Sequence, residues 1–363
     1  MVRPPPAALL LAALLATLAR AGEKPTPPLA LEPPPAPIRE FAGRDLSELD
    51  GETLRGNAFE AYEAGDWPAA IQLQHWAVQK DGEGRYNLAC FYARAGRLDG
   101  ALYWLQQAAL EEWVDPAYAR HDPDLEGPRK DERWGKLEAF FAELSRWWAE
   151  SGKTETLVVL PAGYEKGTPI GALIGLHGKE SGPRDFGDAD EYQALATQLG
   201  LAFVGVSGTR PIGPAHFVWA EDPAADAARV LKALEEVAER VTLAPGKVVL
   251  IGFSQGAQVA LEVAARNPDR FAGAIAFSPG AEGGSKLASV QPGEALAPLG
   301  FVVLAGAGEE PEVVQLAAAD RDELTRLGAR VQHREHPGQE EHALPPDFAD
   351  KLGEWYAFVV ERK

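Results

Sequence analysis

Cysteine is nearly absent: 363 residues contain one, Cys90. No intramolecular disulfide can form, so the fold must rest on its core alone, and a chain of this size can support one. Basic clusters are missing as well. The chain carries 35 Lys and Arg against 54 Asp and Glu, a net charge of −19. Phosphate backbones are held by clustered cations, so nucleic acid is excluded as a partner class. Beyond residue 21 no apolar run is long enough to span a bilayer, and the mature chain is expected to have no transmembrane segment. Histidine is sparse, with seven residues, so each one can be weighed individually.

What is present divides into four stretches. Residues 1–21 read as a signal peptide: Arg3 is basic, Ala7 to Leu18 is almost wholly apolar, and Ala19-Arg20-Ala21 forms an A-x-A cleavage site before Gly22. The expected location is therefore secreted or periplasmic. Residues 22–45 contain Lys24-Pro25-Thr26-Pro27-Pro28 and Pro33-Pro34-Pro35-Ala36-Pro37, a composition that favours polyproline II and reads as a linker with no core to join. Residues 46–150 have a helical pattern, and residues 153–363 alternate strand and helix.

The helical stretch contains an internal match. Ala58 to Ala70 aligns with Ala89 to Ala101 at an offset of 31 residues. Alanines recur where two helices must approach closely (Ala58 with Ala89, Ala70 with Ala101, Ala77 with Ala108), and Gly65 and Gly96 close the first helix of each pair. This resembles the tetratricopeptide repeat, whose period is slightly longer. Asp122-Pro123-Asp124-Leu125 resembles the turn that closes bacterial arrays of this kind, and Arg133 to Trp148 reads as a final helix. The resemblance implies a concave face that takes a protein or peptide partner. Trp104, Trp113, Trp134, Trp147 and Trp148 read as packing residues, and Cys90 as a buried thiol.

In the second half, short continuous apolar runs are expected as strands: Leu157–Leu160, Ala172–Leu176, Phe203–Val206, Val248–Ile251, Ala274–Phe277, Phe301–Leu304 and Arg330–Arg334. Helices fall between them at Glu191–Leu199, Pro223–Val241, Gln255–Asn267, Glu312–Leu327 and Pro346–Val360. This order predicts a mostly parallel sheet covered on both faces, an α/β class, with its site at the carboxyl ends of the strands.

Gly252-Phe253-Ser254-Gln255-Gly256 stands at one such end, between an apolar strand and a helix. G-x-S-x-G in that setting is a nucleophile elbow, with tight glycine-flanked turning and an exposed serine hydroxyl. A serine needs a base, and the base should follow it after an acid. His333, His336 and His342 lie beyond Ser254. His342 is favoured because the loop 337–345 can carry it over the sheet end, with His336 second. The acid should follow the strand Phe301–Leu304, where Glu309 and Glu310 both qualify. The oxyanion hole should use the backbone N–H of Gln255 and of Lys179, the latter after Leu176-His177-Gly178. His177 is then structural. Phe217 and Trp219 are expected either at the acyl pocket or in the core.

Together with Asn267-Pro268-Asp269-Arg270-Phe271-Ala272-Gly273, Phe277-Ser278 and the loop from Gly338 to Pro345, these pieces resemble the phospholipase/carboxylesterase branch of the α/β-hydrolases, including acyl-protein thioesterases and polyhydroxyalkanoate-depolymerase-like esterases. The resemblance implies a serine esterase that uses Ser254, His342 and an acid on a small-molecule or lipid-like ester, with no metal or organic cofactor. One departure stands out. The family pattern is G-x-x-D at the acid turn, and here Gly306 is followed by Glu309. Three readings therefore stay open: an esterase (or thioesterase), a prolyl-oligopeptidase-like peptidase sharing the elbow, and a repeat-type binding protein whose hydrolase half is inactive.

Overall fold

The computed structural model describes residues 22–361 apart from Ala42, Glu221 and 281–283. The expected signal peptide, 1–21, lies outside the described residues. Two compact units divide at Gly152 and Lys153, with Ile212–Pro214 grouped with the first.

The first unit is built on two helix pairs, α1 (Gly51–Glu63) with α2 (Trp67–Asp81) and α3 (Arg85–Arg94) with α4 (Leu98–Glu111), followed by a long helix α5 (Trp134–Ser151). Local chemistry starts and stops them. Asp50 accepts the N–H of Thr53 at 2.7 Å and Asp66 accepts that of Ala69 at 3.1 Å, each capping a helix start. Gly65 and Gly96 take φ of 73° and 68°, which glycine adopts without a Cβ penalty, and so turn the chain between paired helices. The six recurring alanines (58, 70, 77, 89, 101 and 108) are all fully buried, which lets the helix axes approach closely. Trp104 and Trp134 are buried in the same core.

The proline-rich stretch differs from its expected linker role. Leu29 is buried, and the Gln106 side chain brackets it, accepting its N–H at 2.9 Å and donating to its carbonyl at 3.2 Å. Trp76 and Trp147 donate indole N–H groups to Ile38 O (2.8 Å) and Gly22 O (2.7 Å). An extended chain leaves its own amides and carbonyls unpaired, so side chains of the helices can fasten it.

Among the described residues the main sheet of the second unit has seven strands: β1 (Thr156–Val159), β2 (Ile170–Leu176), β3 (Leu201–Val206), β4 (Leu243–Phe253), β5 (Gly273–Phe277), β6 (Gly300–Gly306) and β7 (Arg330–His336). Their order is β7-β6-β5-β4-β2-β3-β1; β1 runs antiparallel to β3 and every other pairing is parallel. All seven expected strands form.

Alternation along each strand feeds two cores. Ala172, Ile174, Val248 and Leu250 face α7 (Pro223–Ala238), α8 (Gln255–Arg266) and α9 (Pro311–Arg326). Leu173, Phe203, Val249 and Ile251 face α6 (Ala189–Leu199) and α10 (Phe348–Val360). The result is a three-layer α/β/α sandwich with the elbow at the end of the central strand β4. Helix α10 starts at Phe348 rather than Pro346, because Asp347, at φ −96° and ψ 17°, stands outside the helical region as its N-cap. Among the described residues no helix is long and apolar enough to cross a membrane.

Candidate active site

The turn from β4 into α8 holds Ser254 at φ 52° and ψ −120°. A serine there is strained, at a cost of order 1–3 kcal/mol that the surrounding structure must offset. Its N–H is fixed to Phe277 O at 3.0 Å, and its carbonyl accepts the Ala257 N–H at 3.0 Å. The flanking glycines are steric necessities: a Cβ on Gly252 would collide with Gly256 O, and one on Gly256 with Leu176 O. Gly280 lies opposite the hydroxyl, where a Cβ would stand 3.1 Å from Ser254 Oγ.

The acid position is built in detail. Glu309 is buried behind β6, and its Oε2 lies 2.8 Å from His342 Nδ1. Its Oε1 accepts the Ser278 hydroxyl at 2.6 Å, the Gly306 N–H at 2.7 Å and the Gln339 amide at 3.3 Å. Three donors on one oxygen fix the carboxylate, and the other oxygen orients the imidazole. The extra methylene relative to Asp is absorbed because the side chain folds back onto the amide of Gly306 in its own turn. Glu310 is exposed and precedes α9, away from this network.

His342 comes from the loop between β7 and α10. That loop is braced by Gln339, whose amide also donates to Ala343 O at 2.8 Å, while Gly308 N–H donates to Gln339 O at 2.9 Å. The imidazole ring lies 4.8 Å from the Phe253 ring, centroid to centroid, which sets it beside the elbow. With Nδ1 committed to Glu309, Nε2 is the free nitrogen. Among the described residues no hydrogen bond joins Ser254 Oγ to that nitrogen; such bonds commonly tighten only when substrate binds. His336 instead meets Asp347 at 3.1 Å, and His333 is half-buried on β7 with its pKa lowered by burial.

His177 is fully buried. Its Nε2 accepts the Gly208 N–H at 2.8 Å, so Nδ1 carries the proton and donates to Gly178 O at 2.6 Å. Burial pushes its pKa down to about 4. A neutral imidazole with both nitrogens on backbone holds the Gly178-Lys179 turn and is not a base. Trp219 donates its indole N–H to His177 O at 2.9 Å and exchanges backbone contacts with the Gln255 amide, at 3.1 and 3.4 Å. Among the described residues the backbone N–H groups of Lys179 and Gln255 meet no acceptor. Lys179, Trp219, Ser254, Gln255 and Gly280 line one cavity of about 1290 Å³, whereas Phe217 is buried and is not among its lining residues.

Three site residues carried no signal strong enough to be singled out: Ser278, Gln339 and Gly280. Ser278 is one of three non-glycine residues with positive φ among the described residues, at 44°. It stood in the matched Phe277-Ser278 pair, but its role depends on a neighbour 31 positions away.

Residues 151–287 match the family described as "Putative esterase". That span contains the Gly178-Lys179 turn and the elbow and ends before Glu309 and His342. No curated protein matches the chain. Among solved structures, similar ones include an uncharacterized protein from Bacillus cereus ATCC 10987 (16% identity, 86% of this chain and 99% of that one, TM-score 0.45). A Bacillus cereus carboxylesterase is also similar (18%, 59% and 98%, 0.42), as is a phospholipase/carboxylesterase from Dyadobacter fermentans DSM 18053 (17%, 56% and 97%, 0.43). The sheet order and the elbow define the second unit as an α/β-hydrolase. With the esterase-family segment, the class is a carboxylic ester hydrolase of that type.

Proposed function

We propose that the chain is an exported serine esterase working through an acyl-enzyme on carboxylic esters or thioesters. Ser254 Oγ attacks the carbonyl carbon while its proton passes to His342 Nε2. The N–H groups of Gln255 and Lys179 receive the developing oxyanion. The alcohol (or thiol) then leaves with the proton from His342, and water repeats the sequence to release the acid. Glu309 keeps His342 in the tautomer with its proton on Nδ1 and stabilises the imidazolium. Trp219 walls the acyl side of the cavity. The helical unit, with its tetratricopeptide resemblance, serves as a binding module for a protein or peptide.

The observation that carries this reading is the 2.8 Å bond between Glu309 and His342, with the imidazole against Phe253 of the elbow. One observation favours the inactive reading, namely the missing hydrogen bond between Ser254 Oγ and His342. A fluorophosphonate probe separates the two, since only an activated serine reacts. Labelling of the full chain at Ser254, abolished in Ser254→Ala, is the expected result. An unlabelled wild-type chain would sink the catalytic proposal.

A further inference from the structure

We infer that Arg210 is a specificity-determining residue that holds a carboxylate carried by the ester substrate; this rests on the ester-hydrolase reading above. The chain as a whole is strongly acidic, at −19. Among the described residues, the lining of the cavity around Ser254 has the opposite balance. Lys179, Arg210 and Lys286 line it, and Glu262 is the one carboxylate among its described lining residues.

Each of these charges can be followed to its counter-charge. Glu262 is buried and accepts the Arg266 guanidinium N–H at 3.0 Å. Lys286 Nζ lies 3.9 Å from Asp226 Oδ2, a buried oxygen with no hydrogen-bond donor among the described residues, so its charge is balanced from beneath the wall. Lys179 Nζ lies 3.4 Å from Glu180 Oε1. Arg210 is different. Among the described residues its guanidinium has neither an ion pair within 4.0 Å nor a hydrogen bond. Glu221 and Glu282 lie outside the described residues.

Arg210 is also held at its backbone. It forms a two-residue antiparallel ribbon, Arg210–Pro211 with Phe217–Val218, in which Arg210 pairs with Val218. Val218 and Trp219 form the adjoining wall of the same cavity. A guanidinium presents five donors in a rigid fork that fits a carboxylate with two parallel bonds. Arg210 is exposed on a concave wall, and a cleft lined by one sign of charge focuses its field on a ligand of the opposite sign. A volume of about 1290 Å³ has room for an acyl chain of several carbons ending in a carboxylate, or for a leaving alcohol that bears one. The substrate class is thus an ester with a free carboxylate.

The test compares matched pairs on the full chain. The acyl arm uses the 4-nitrophenyl monoester of adipic acid against 4-nitrophenyl hexanoate. The alcohol arm uses 4-carboxyphenyl butyrate against 4-carbamoylphenyl butyrate. In one arm the wild type should favour the charged ester by about tenfold in kcat/KM, and the preference should shrink as salt screens it. Arg210→Gln should reduce that ratio to about twofold or less, and Arg210→Lys should keep part of it. No preference in either arm, or a preference that survives Arg210→Gln, overturns the assignment. If no ester turns over, the hydrolase reading fails instead. Calorimetric titration of Ser254→Ala with monomethyl adipate then decides on Arg210 alone. Binding at least about tenfold weaker when Arg210→Gln is added supports the contact; equal binding, or none, overturns it.

Discussion

Each unit of this chain contains one side chain with the makings of a nucleophile, and the two are built in opposite ways. Cys90 sits in the middle of α3, nine-tenths or more buried. Its thiol lies 3.6 Å from Asp122 Oδ2, and burial, with Asp122 and Asp124 nearby, raises its pKa well above the usual thiol range. The same carboxylates are already engaged, Asp122 by the Tyr86 hydroxyl at 2.8 Å and Asp124 by that of Tyr62 at 2.8 and 2.9 Å. Ser254 stands on a strained turn, faces a cavity, and has two unspent amides and a braced imidazole around it. The contrast teaches that reactivity follows from what the surroundings leave unsatisfied, since thiol chemistry is intrinsically the easier of the two.

The largest effect that would break this contrast is on turnover. Ser254→Ala should lower ester hydrolysis by about 10⁶-fold, while Cys90→Ala leaves kcat within twofold and iodoacetamide leaves Cys90 of the folded wild type unmodified. Rapid alkylation at Cys90 would show that the buried reading of that site is wrong. Next is Glu309→Gln, which keeps the shape but offers His342 Nδ1 an amide. Steady-state assay of 4-nitrophenyl esters should show a loss of about 10⁴-fold, by analogy with other triads whose acid is amidated. A loss below tenfold would mean that Glu309 does not orient the base.

A smaller effect concerns stability. His177 has its pKa depressed from the usual 6.5 to about 4 by burial. Between those values the unfolded chain binds a proton that the folded chain does not. Stability therefore falls as pH drops from about 6.5 to about 4, by about 3 kcal/mol from this group. Asp320, pushed up to about 6 by its own burial, acts with the opposite sign over an overlapping range. The clean reading is the difference between wild type and His177→Asn in urea midpoints at pH 4.5 and 7.5: the variant should be the less pH-dependent of the two. The smallest effect lies in the helical unit. Gln106→Ala leaves the Leu29 amide and carbonyl unpaired, and should destabilise that unit by about 1–2 kcal/mol. Faster proteolysis near Leu29 is the accompanying sign; unchanged protection would mean that the bracket contributes nothing.

Much of the site could be read in the sequence because its parts obey local rules. The elbow needs glycines at fixed offsets around one serine, and strand and helix patterns flank it directly. Histidine is scarce, so His342 could be singled out by its loop alone. Glu309 was harder. A carboxylate after β6 has no local mark that separates it from Glu310, and the choice is made by Ser278, Gly306 and Gln339 closing on one oxygen. The fastening of the proline-rich stretch is not legible in the sequence, for a related reason. Polyproline composition describes the segment's own preference and carries no information about the Gln106, Trp76 and Trp147 donors that fasten it.

By itself, then, the sequence determined the α/β class, the seven strands, the helix pairs with their alanine contacts, and the serine at the end of the central strand. Those follow from periodicities of 2 and 3.6 and from glycines that permit only certain turns. Tertiary structure alone decided which glutamate meets the imidazole, which histidine becomes a buried strut, and which cation in the cavity has no counter-charge among the described residues. Each of those depends on groups brought together from strands and loops distant in sequence, and pairing across such distances is set by packing.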